Sequence, residues 1–299
     1  MINNTQNSFT IQDLEILSGV KAHTIRIWEK RYNLLNPTRL NRNIRVYSLE
    51  DLQKMLNVSL LYQQNYKISK IANFTERELA SEAKSIALSG VTNSYQINSL
   101  VVSMFTFSER LFEEVYTQQS EKMSFEMIFV EIYLPLLNHM GVLWQTDSIK
   151  PAHEHFISNL IYQKIVLNTA SAEQATVASK KVHVLFLPEG EIHELGLLFL
   201  NYHLKLNGSK VIYLGRDVPL ENLSDISSQF NEITWVTSFT IDRPLELKTS
   251  FILALEKLLK HTNNECLIIG GIWNSYSKLG IDQRISFING FSDLIKLKD

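Results

Sequence analysis

Apolar side chains recur along the chain at two different spacings, which indicate a helical first part and a last part that alternates strands with helices. Between residues 76 and 172 the apolar positions follow the helical period in four segments, 76–90, 93–119, 122–146 and 151–172. The segments are separated at Ser89-Gly90, around Ser120 and at Pro151. Four helices with short connections predict an antiparallel four-helix bundle.

The last part of the chain contains short, continuous apolar runs that are typical of buried parallel strands. The first run covers Val182 and residues 184–187, ends at the polar residues 188–191, and is followed by a helical pattern. Two further runs, ITWVTSFT and CLIIGG, end at Thr240 and Gly271. Strands that alternate with helices predict an open α/β sheet for this part.

The first quarter of the chain predicts two short helices, a tight turn and a two-stranded wing. Thr10 is a suitable N-cap for the first helix, and Gly19 supplies the turn that ends it. A second helix is expected from about residue 22 to 32, a wing over residues 36–47, and a third helix capped by Ser48. This order is typical of a winged helix-turn-helix, whose second helix enters the major groove of DNA.

Basic residues are concentrated in the same quarter, although the whole chain has a formal net charge of only −2. Between Val20 and Val46 there are seven Lys and Arg residues and one acidic residue, Glu29, which predicts a polyanion as the partner of this part alone. Ile25 and Trp28 are expected to pack inward. The side chains expected to meet phosphates or base edges are Thr24, Arg26, Lys30, Arg31, Tyr32, Arg39, Arg42 and Arg45. A basic, solvated helix in an interaction module is the alternative.

Three blocks of this quarter follow a known pattern: TIRIWEKRY at 24–32, PTR at 37–39 and RVYSLED at 45–51. Together they resemble the MerR family of winged-helix regulators. The resemblance implies that the chain binds near-palindromic, double-stranded operator DNA as a dimer.

The ends of the three apolar runs carry chemically distinctive residues. The loop EIHELG places an imidazole, His193, after the first run, Ser238 and Thr240 close the second, and Gly270 and Gly271 close the third. Open α/β sheets bind ligands at the carboxyl ends of their strands. A single His in a loop is also commonly a solvated residue, and that alternative stands for His193 taken by itself.

The ordered triplet resembles the cobalamin-binding domain family, whose signature is Asp or Glu-x-His-x-x-Gly, then Ser-x-Leu or Ser-x-Thr, then Gly-Gly. The resemblance implies a Rossmann-like (flavodoxin-like) domain in which His193 is the lower axial ligand of cobalt, Glu191 fixes its tautomer, and Gly196 completes the motif. It also implies that Ser238 and Thr240 hydrogen-bond the nucleotide arm of the cofactor, while Gly270 and Gly271 let that arm pass close to backbone.

A second constellation lies in the helical part, where Trp144 is followed after nine residues by Glu154 and His155. This spacing resembles the helical cap of the light-sensing, adenosylcobalamin-dependent MerR regulators of the CarH and LitR type, in which the bundle covers the upper face of the corrin. The resemblance implies that these three residues line the cofactor cavity. The alternative is a core Trp and an exposed helix-capping pair.

One position departs from the light sensors of this type. They carry a His directly after the Trp, as a second cobalt ligand, and this chain has Gln145 there. An amide is a poor ligand for cobalt(III), so His139, His153 or His155 would have to substitute for it.

Three domains are expected: a MerR-type winged-helix domain (1–78), a helical cobalamin cap (79–178) and a Rossmann-like cobalamin-binding domain (179–299). The resemblance implies a transcriptional regulator, most simply a repressor, that senses adenosylcobalamin and, in related sensors, light. Its cofactor would control assembly from a dimer on DNA to a homo-oligomer as large as a tetramer. No nucleophile–base or carboxylate pair calls for enzymatic turnover.

Two alternatives belong to other classes of protein. One is a corrinoid methyl-carrier, and the other is a MerR-type regulator whose cobalamin-like domain senses another ligand or serves as an oligomerisation platform. The single cysteine, Cys266, lies in an apolar run, the start of the chain lacks a basic, apolar signal pattern, and no apolar run approaches the ~20 residues of a membrane helix. These features predict a cytoplasmic protein that does not enter the membrane.

Overall fold

The computed structural model of the chain describes residues 8–40, 44–88, 93–145, 149–172, 181–270 and 281–290. The chain divides into two compact units, residues 1–160 and 161–299, which are described separately. The last long helix of the first unit, Pro151–Ala172, continues into the second. The division into three domains stays a prediction.

The first unit consists of helices and one two-stranded sheet. Its elements are, in chain order, α1 (Ile11–Ser18), α2 (Ala22–Tyr32), β1 (Thr38–Leu40), β2 (Ile44–Val46), α3 (Leu49–Gln63), α4 (Ile68–Ile71), α5 (Glu76–Leu88), α6 (Ser94–Thr106), α7 (Glu109–Ser120), α8 (Phe125–Ile128), a π-helical segment (Phe129–Tyr133), α9 (Leu134–Gln145) and the start of α10 (Pro151–Ala172).

The N-terminal elements form where their caps predict them. Thr10 and Asp13 make a reciprocal capping box at the start of α1, and Ser48 and Asp51 make another at the start of α3. Gly19 ends α1 in the left-handed conformation, with φ 71°. Strands β1 and β2 pair antiparallel as the predicted wing, and the winged helix-turn-helix fold is confirmed.

The helical part differs from its prediction at one place. The segment 93–119, expected as one helix, is two helices, because Phe107 adopts a left-handed conformation with φ 51° and ends α6. The Ser108 hydroxyl then accepts a hydrogen bond from the Leu111 N–H and caps α7. Phe107 stacks on the ring of His153 at the start of α10, with ring centroids 5.0 Å apart. The contact between Phe107 and His153 therefore accompanies the break between α6 and α7, which the helical spacing of apolar residues did not predict.

Residues 125–145 form one continuous helical stretch that is apolar enough and long enough to cross a membrane by length and composition, which the count of apolar runs did not predict. In the first unit this stretch contributes to the bundle core. Its buried apolar side chains are Phe125, Ile128, Phe129, Ile132, Tyr133, Leu136, Met140 and Leu143. Burial on one side at helical spacing is what a core helix requires.

The second unit contains an α/β sheet with helices on its faces. Its elements are β3 (Val182–Pro188), α11 (Leu195–Leu206), β4 (Lys210–Val218), a 3₁₀ turn (Leu220–Leu223), α12 (Ser224–Ser227), β5 (Ile233–Ser238), α13 (Leu245–Leu259), β6 (Glu265–Ile269) and β7 (Ile285–Ile288). All neighbouring strands are parallel, in the order β4-β3-β5-β6-β7. This is the flavodoxin-like order, so the predicted α/β fold is confirmed.

Alternate residues of the central strands enter two apolar cores. Val184 and Trp235 pack with Leu255 of α13 on one face, and Leu185 and Val236 pack with helix α11 on the other. The sheet order reverses between β3 and β5, and open α/β sheets bind ligands at such a point, beyond the carboxyl ends of the strands. The loops after both strands carry predicted site residues.

Candidate functional site

His193 lies in the loop between β3 and α11, beside the reversal point of the sheet. Its ring Nδ1 is 2.7 Å from Oε1 of Glu191, and its backbone N–H donates to the same oxygen at 3.0 Å. The Glu191 side chain is fully buried, whereas the His193 side chain is 41% exposed. Buried Glu191 therefore holds the imidazole at its Nδ1, and the rest of the ring remains accessible to solvent.

The second carboxylate oxygen of Glu191 reaches across the reversal point. Oε2 accepts hydrogen bonds from the backbone N–H groups of Thr240, at 2.9 Å, and Ile241, at 3.5 Å, in the loop after β5. Burial alone would raise the pKa of Glu191, but the His193 ring and the backbone donors outweigh it and lower the pKa to about 2.

An ionised carboxylate can only accept hydrogen bonds, so the His193 Nδ1 carries the proton that it shares with Glu191. The other ring nitrogen, Nε2, is then the atom suited to a metal. A carboxylate behind a ligating imidazole fixes its tautomer and raises its basicity. The pair has the chemistry of an oriented axial ligand.

Ser238 and Thr240 occupy different environments at the end of β5. The Ser238 side chain is buried, at 2% exposure, and its hydroxyl has no hydrogen-bond partner among the described residues. Thr240 is exposed, and its backbone N–H serves Glu191. A buried hydroxyl without a partner costs free energy unless a ligand or water satisfies it, which makes Ser238 the stronger candidate for a ligand contact.

Gly270 is required by the backbone itself. Its φ is 141°, and a Cβ atom there would lie 2.4 Å from the Phe239 carbonyl oxygen. Only glycine fits this close approach of the ends of β5 and β6. Gly196 is half-buried in the first turn of α11, and Gly271 lies outside the described residues.

The three predicted cap residues lie in the first unit. Trp144, in the last turn of α9, is 39% exposed. In α10 the His155 Nδ1 is 3.9 Å from Glu154 Oε2, and the His155 side chain is 69% exposed. Gln145 is also exposed. These side chains are accessible on the first unit, and their role as a cofactor cap stays a proposal.

Two other histidines of the first unit are held by the protein. The ring of His153 is buried, stacks on Phe107, and accepts a hydrogen bond from the Lys150 N–H at its Nδ1, 3.2 Å away. His139 is half-buried in a cavity shared by α1, α3, α6 and α9. Burial lowers the pKa of both histidines. Of the three substitutes suggested for the missing second ligand, His155 is the most exposed.

The predicted DNA-reading surface is mostly exposed. Ile25 and Trp28 are buried, as expected. Exposed or half-buried are Thr24, Arg26, Lys30, Arg31, Tyr32, Arg39 and Arg45, while Arg42 lies outside the described residues. Side chains that extend from α2 and from the wing are suited to contact the bases in a groove and the phosphate backbone of double-stranded DNA.

From the sequence, Glu29 was noted only as a negative charge among basic residues. In the structure it connects the recognition helix α2 to the wing. Its carboxylate accepts a short hydrogen bond from the Tyr47 hydroxyl and lies 3.3 Å from Nε of Arg45. Burial and this acceptor raise the pKa of Tyr47 above its ordinary value. Arg45 is therefore held against α2 as well as being available at the surface.

Two family models match the chain, both within residues 9–167. Residues 9–78 match the MerR HTH family regulatory protein model, and residues 96–167 match the B12 binding domain model. The second match lies on the helices from α6 to α10. Cobalamin takes an axial ligand at cobalt, and the oriented His193 imidazole and the unsatisfied Ser238 hydroxyl fit such a group.

The chain therefore combines a MerR-type helix-turn-helix with a B12 binding domain. It is homologous to the HTH-type transcriptional repressors CarA and CarH of Myxococcus xanthus. It is 27% identical to CarA over 88% of this chain and 86% of CarA, and 24% identical to CarH over 73% and 74%. The monomethylamine corrinoid protein of Methanosarcina barkeri is a solved structure with 15% identity, coverage of 83% and 93%, and a TM-score of 0.45.

Proposed function

We propose that this protein is a B12-sensing transcriptional repressor whose corrinoid is held from below by His193. The observation that carries the proposal is the Glu191–His193 pair, in which a buried, ionised carboxylate holds the Nδ1 of an exposed imidazole at 2.7 Å. A solvated loop histidine would not need a fully buried partner that is itself anchored to the next strand.

Cobalamin, when bound, would supply a cobalt centre that accepts a nitrogen ligand. His193 would offer Nε2, Glu191 orients the ring, and the Ser238 hydroxyl would offer a hydrogen bond at the carboxyl end of β5. Gly270 keeps the neighbouring strand ends close together. Trp144, Glu154 and His155 are proposed as the cap, and adenosylcobalamin as the form sensed.

The N-terminal winged helix reads operator DNA as part of a dimer. Arg26, Lys30 and Arg31 of α2 face the major groove, and Arg39 of the wing contacts the backbone. Repression follows the function named for CarA and CarH. The ligand controls DNA binding through assembly, since it can shift an equilibrium only by binding one assembly state better than another.

The proposed site of action is the cytoplasm, because the proposed role requires access to operator DNA, and that role requires no enzymatic turnover. Light is a proposed second input. Because an amide is a poor ligand for cobalt(III), Gln145 would not supply a second metal ligand, and His155, the most exposed of the three suggested histidines, is proposed in its place.

The test combines reconstitution with a gel shift. The protein is mixed with adenosylcobalamin in darkness, desalted, and titrated against genomic operator fragments before and after green light, with absorption spectra and size-exclusion profiles recorded in parallel. We expect a coloured protein whose assembly state and DNA affinity differ from those of the apoprotein. A colourless protein after desalting would contradict corrinoid sensing, and absence of DNA binding at low salt would contradict operator recognition.

A further inference from the structure

The end of strand β4 departs from regular geometry beside the histidine loop. Against β3, the pairing advances from Leu185–Tyr213 to Phe186–Gly215 and then to Pro188–Val218, so β4 contains two extra residues at two register shifts. Gly215 and Asp217 have positive φ angles of 79° and 55°. These are two consecutive β-bulges, features that re-aim side chains next to functional sites.

The bulges bring two consecutive side chains to the same loop. Arg216 Nε lies 3.2 Å from Glu194 Oε1, and Asp217 Oδ1 accepts a hydrogen bond from the Gly190 N–H at 2.9 Å. In a regular strand, successive side chains point to opposite faces. The irregular backbone therefore makes this double contact possible.

The two contacts flank His193. Gly190 lies three residues before it and Glu194 directly after it, as the N-cap residue of α11. Glu194 also accepts a hydrogen bond from the hydroxyl of the half-buried Tyr213 at 3.1 Å, and its own side chain is only 16% exposed. The loop thus has one anchor on each side of the imidazole, and both come from β4.

Asp217 carries an unfavourable backbone conformation for a residue other than glycine. Non-glycine residues in the left-handed region persist where surrounding structure imposes them, and such strain is concentrated at functional sites. Asp and Asn tolerate this region best, because their short polar side chains can bond locally. The position combines a strained backbone with an acceptor aimed at the ligand loop.

We infer that Arg216 and Asp217 are positioning residues for His193, holding the loop so that its imidazole meets an axial metal without further ordering. This inference rests on the proposed function. It adds to the Glu191 contact a second support that originates on another strand and acts on the loop's backbone and on Glu194.

The test uses aquacobinamide, a corrinoid that lacks the nucleotide arm, so that its nitrogen ligand must come from the protein. Asp217→Gly removes the acceptor and relieves the left-handed strain, while Asp217→Asn keeps a side-chain acceptor and tolerates the same φ. Absorption spectra report imidazole ligation during titration of each apoprotein, and thermal unfolding checks that each variant is folded.

We expect Asp217→Gly to weaken imidazole ligation about tenfold, the lower range for loss of a support behind a metal ligand. Asp217→Asn should stay much closer to the unsubstituted protein, because it keeps a side-chain acceptor and tolerates the same φ. The Gly190 amide should exchange hydrogen faster in Asp217→Gly than in Asp217→Asn. Equal ligation by the unsubstituted protein and Asp217→Gly would overturn this inference alone. A different result would overturn the proposed function as well. In that result the unsubstituted protein shows no imidazole ligation of cobinamide, and its spectrum is the same as that of His193→Ala.

Discussion

Two carboxylates, Glu29 in the DNA-reading part and Glu191 in the sheet unit, each connect two elements that carry function. Glu29 joins the recognition helix to the wing through side chains, the Tyr47 hydroxyl and the Arg45 guanidinium. Glu191 joins the histidine loop to the loop after β5 and uses backbone N–H donors as well as the His193 ring. The first is 10% exposed and the second fully buried.

This difference determines what happens when either carboxylate is lost. Arg45, at 35% exposure, can turn toward water when its partner is removed. The Thr240 N–H is part of the chain and cannot leave its position, so it would remain without its acceptor. Losing the hydrogen bonds of a fully buried carboxylate costs more than breaking a partly exposed ion pair, and Glu191 should therefore be the more sensitive position.

The largest expected effect comes from removing the imidazole that Glu191 supports. His193→Ala should lower corrinoid retention by about a hundredfold or more, since loss of the ligand exceeds the 10–100-fold effect of losing its support. Retention is measured by absorbance after desalting. The apoprotein should keep its operator affinity, because residues 9–78 are unaltered; retention equal to that of the unsubstituted protein would show that His193 does not bind the metal.

The corresponding change in the DNA-reading part removes Arg26, an exposed side chain on α2, the helix that also carries Glu29. Arg26→Ala should weaken operator binding by about 1–3 kcal/mol if the guanidinium contacts a base, or lower the salt slope by about 1 if it contacts a phosphate. Fluorescence anisotropy at several salt concentrations distinguishes the two. Arg110→Ala, on the exposed face of α7, is the control, and equal affinity of both variants would place the recognition surface elsewhere.

Glu191→Gln tests the buried carboxylate directly. The amide cannot accept all of the bonds that the carboxylate accepts, so the second unit should lose about 1–3 kcal/mol of stability. Hydrogen exchange of the β5 amides, which belong to this unit, gives its unfolding midpoint in a denaturant series. Glu189→Gln, at an exposed position of the same loop, should change the unfolding midpoint little; equal midpoints for both variants would refute the anchoring role.

Glu29→Gln should give the smallest effect. The amide oxygen can still accept the Tyr47 hydroxyl, so mainly the Arg45 ion pair is lost, and partly exposed pairs contribute about 0.2–1 kcal/mol. We expect a few-fold change in operator affinity at low salt and less at high salt. Tyr47→Phe removes the hydroxyl contact alone and separates the two interactions. A loss as large as that of Arg26→Ala would mean that Glu29 supports the entire reading surface.

Local sequence signals predicted the elements that depend on local physics. The capping residues Thr10 and Ser48 and the turn at Gly19 were found correctly, because each satisfies backbone groups within a few residues. The apolar run at the start of the sheet unit predicted β3, because a parallel strand covered on both faces needs apolar side chains at nearly every position. The resemblance then supplied the fold class, which the sheet order confirms.

Features that depend on distant partners could not be predicted in this way. The break at Phe107 coincides with stacking on His153, which lies far along the chain. The bulges of β4 depend on pairing with β3, and only those bulges bring Arg216 and Asp217 to the histidine loop. The wing contact of Glu29 likewise becomes visible only when α2 and β2 are placed side by side. The role of Gly270 beside a cofactor arm stays a prediction, and the close approach of the Phe239 carbonyl oxygen already explains why a glycine is needed there.

The most direct test of the account asks which nitrogen holds the cobalt. Protein labelled with ¹⁵N-histidine is loaded with cobalamin, reduced to the cobalt(II) state, and examined by electron paramagnetic resonance. Ligation by His193 predicts that the superhyperfine triplet of an unlabelled sample becomes a doublet, and that His193→Ala loses this doublet. A triplet that persists in the labelled protein would show that the cofactor keeps its own base and would contradict the account.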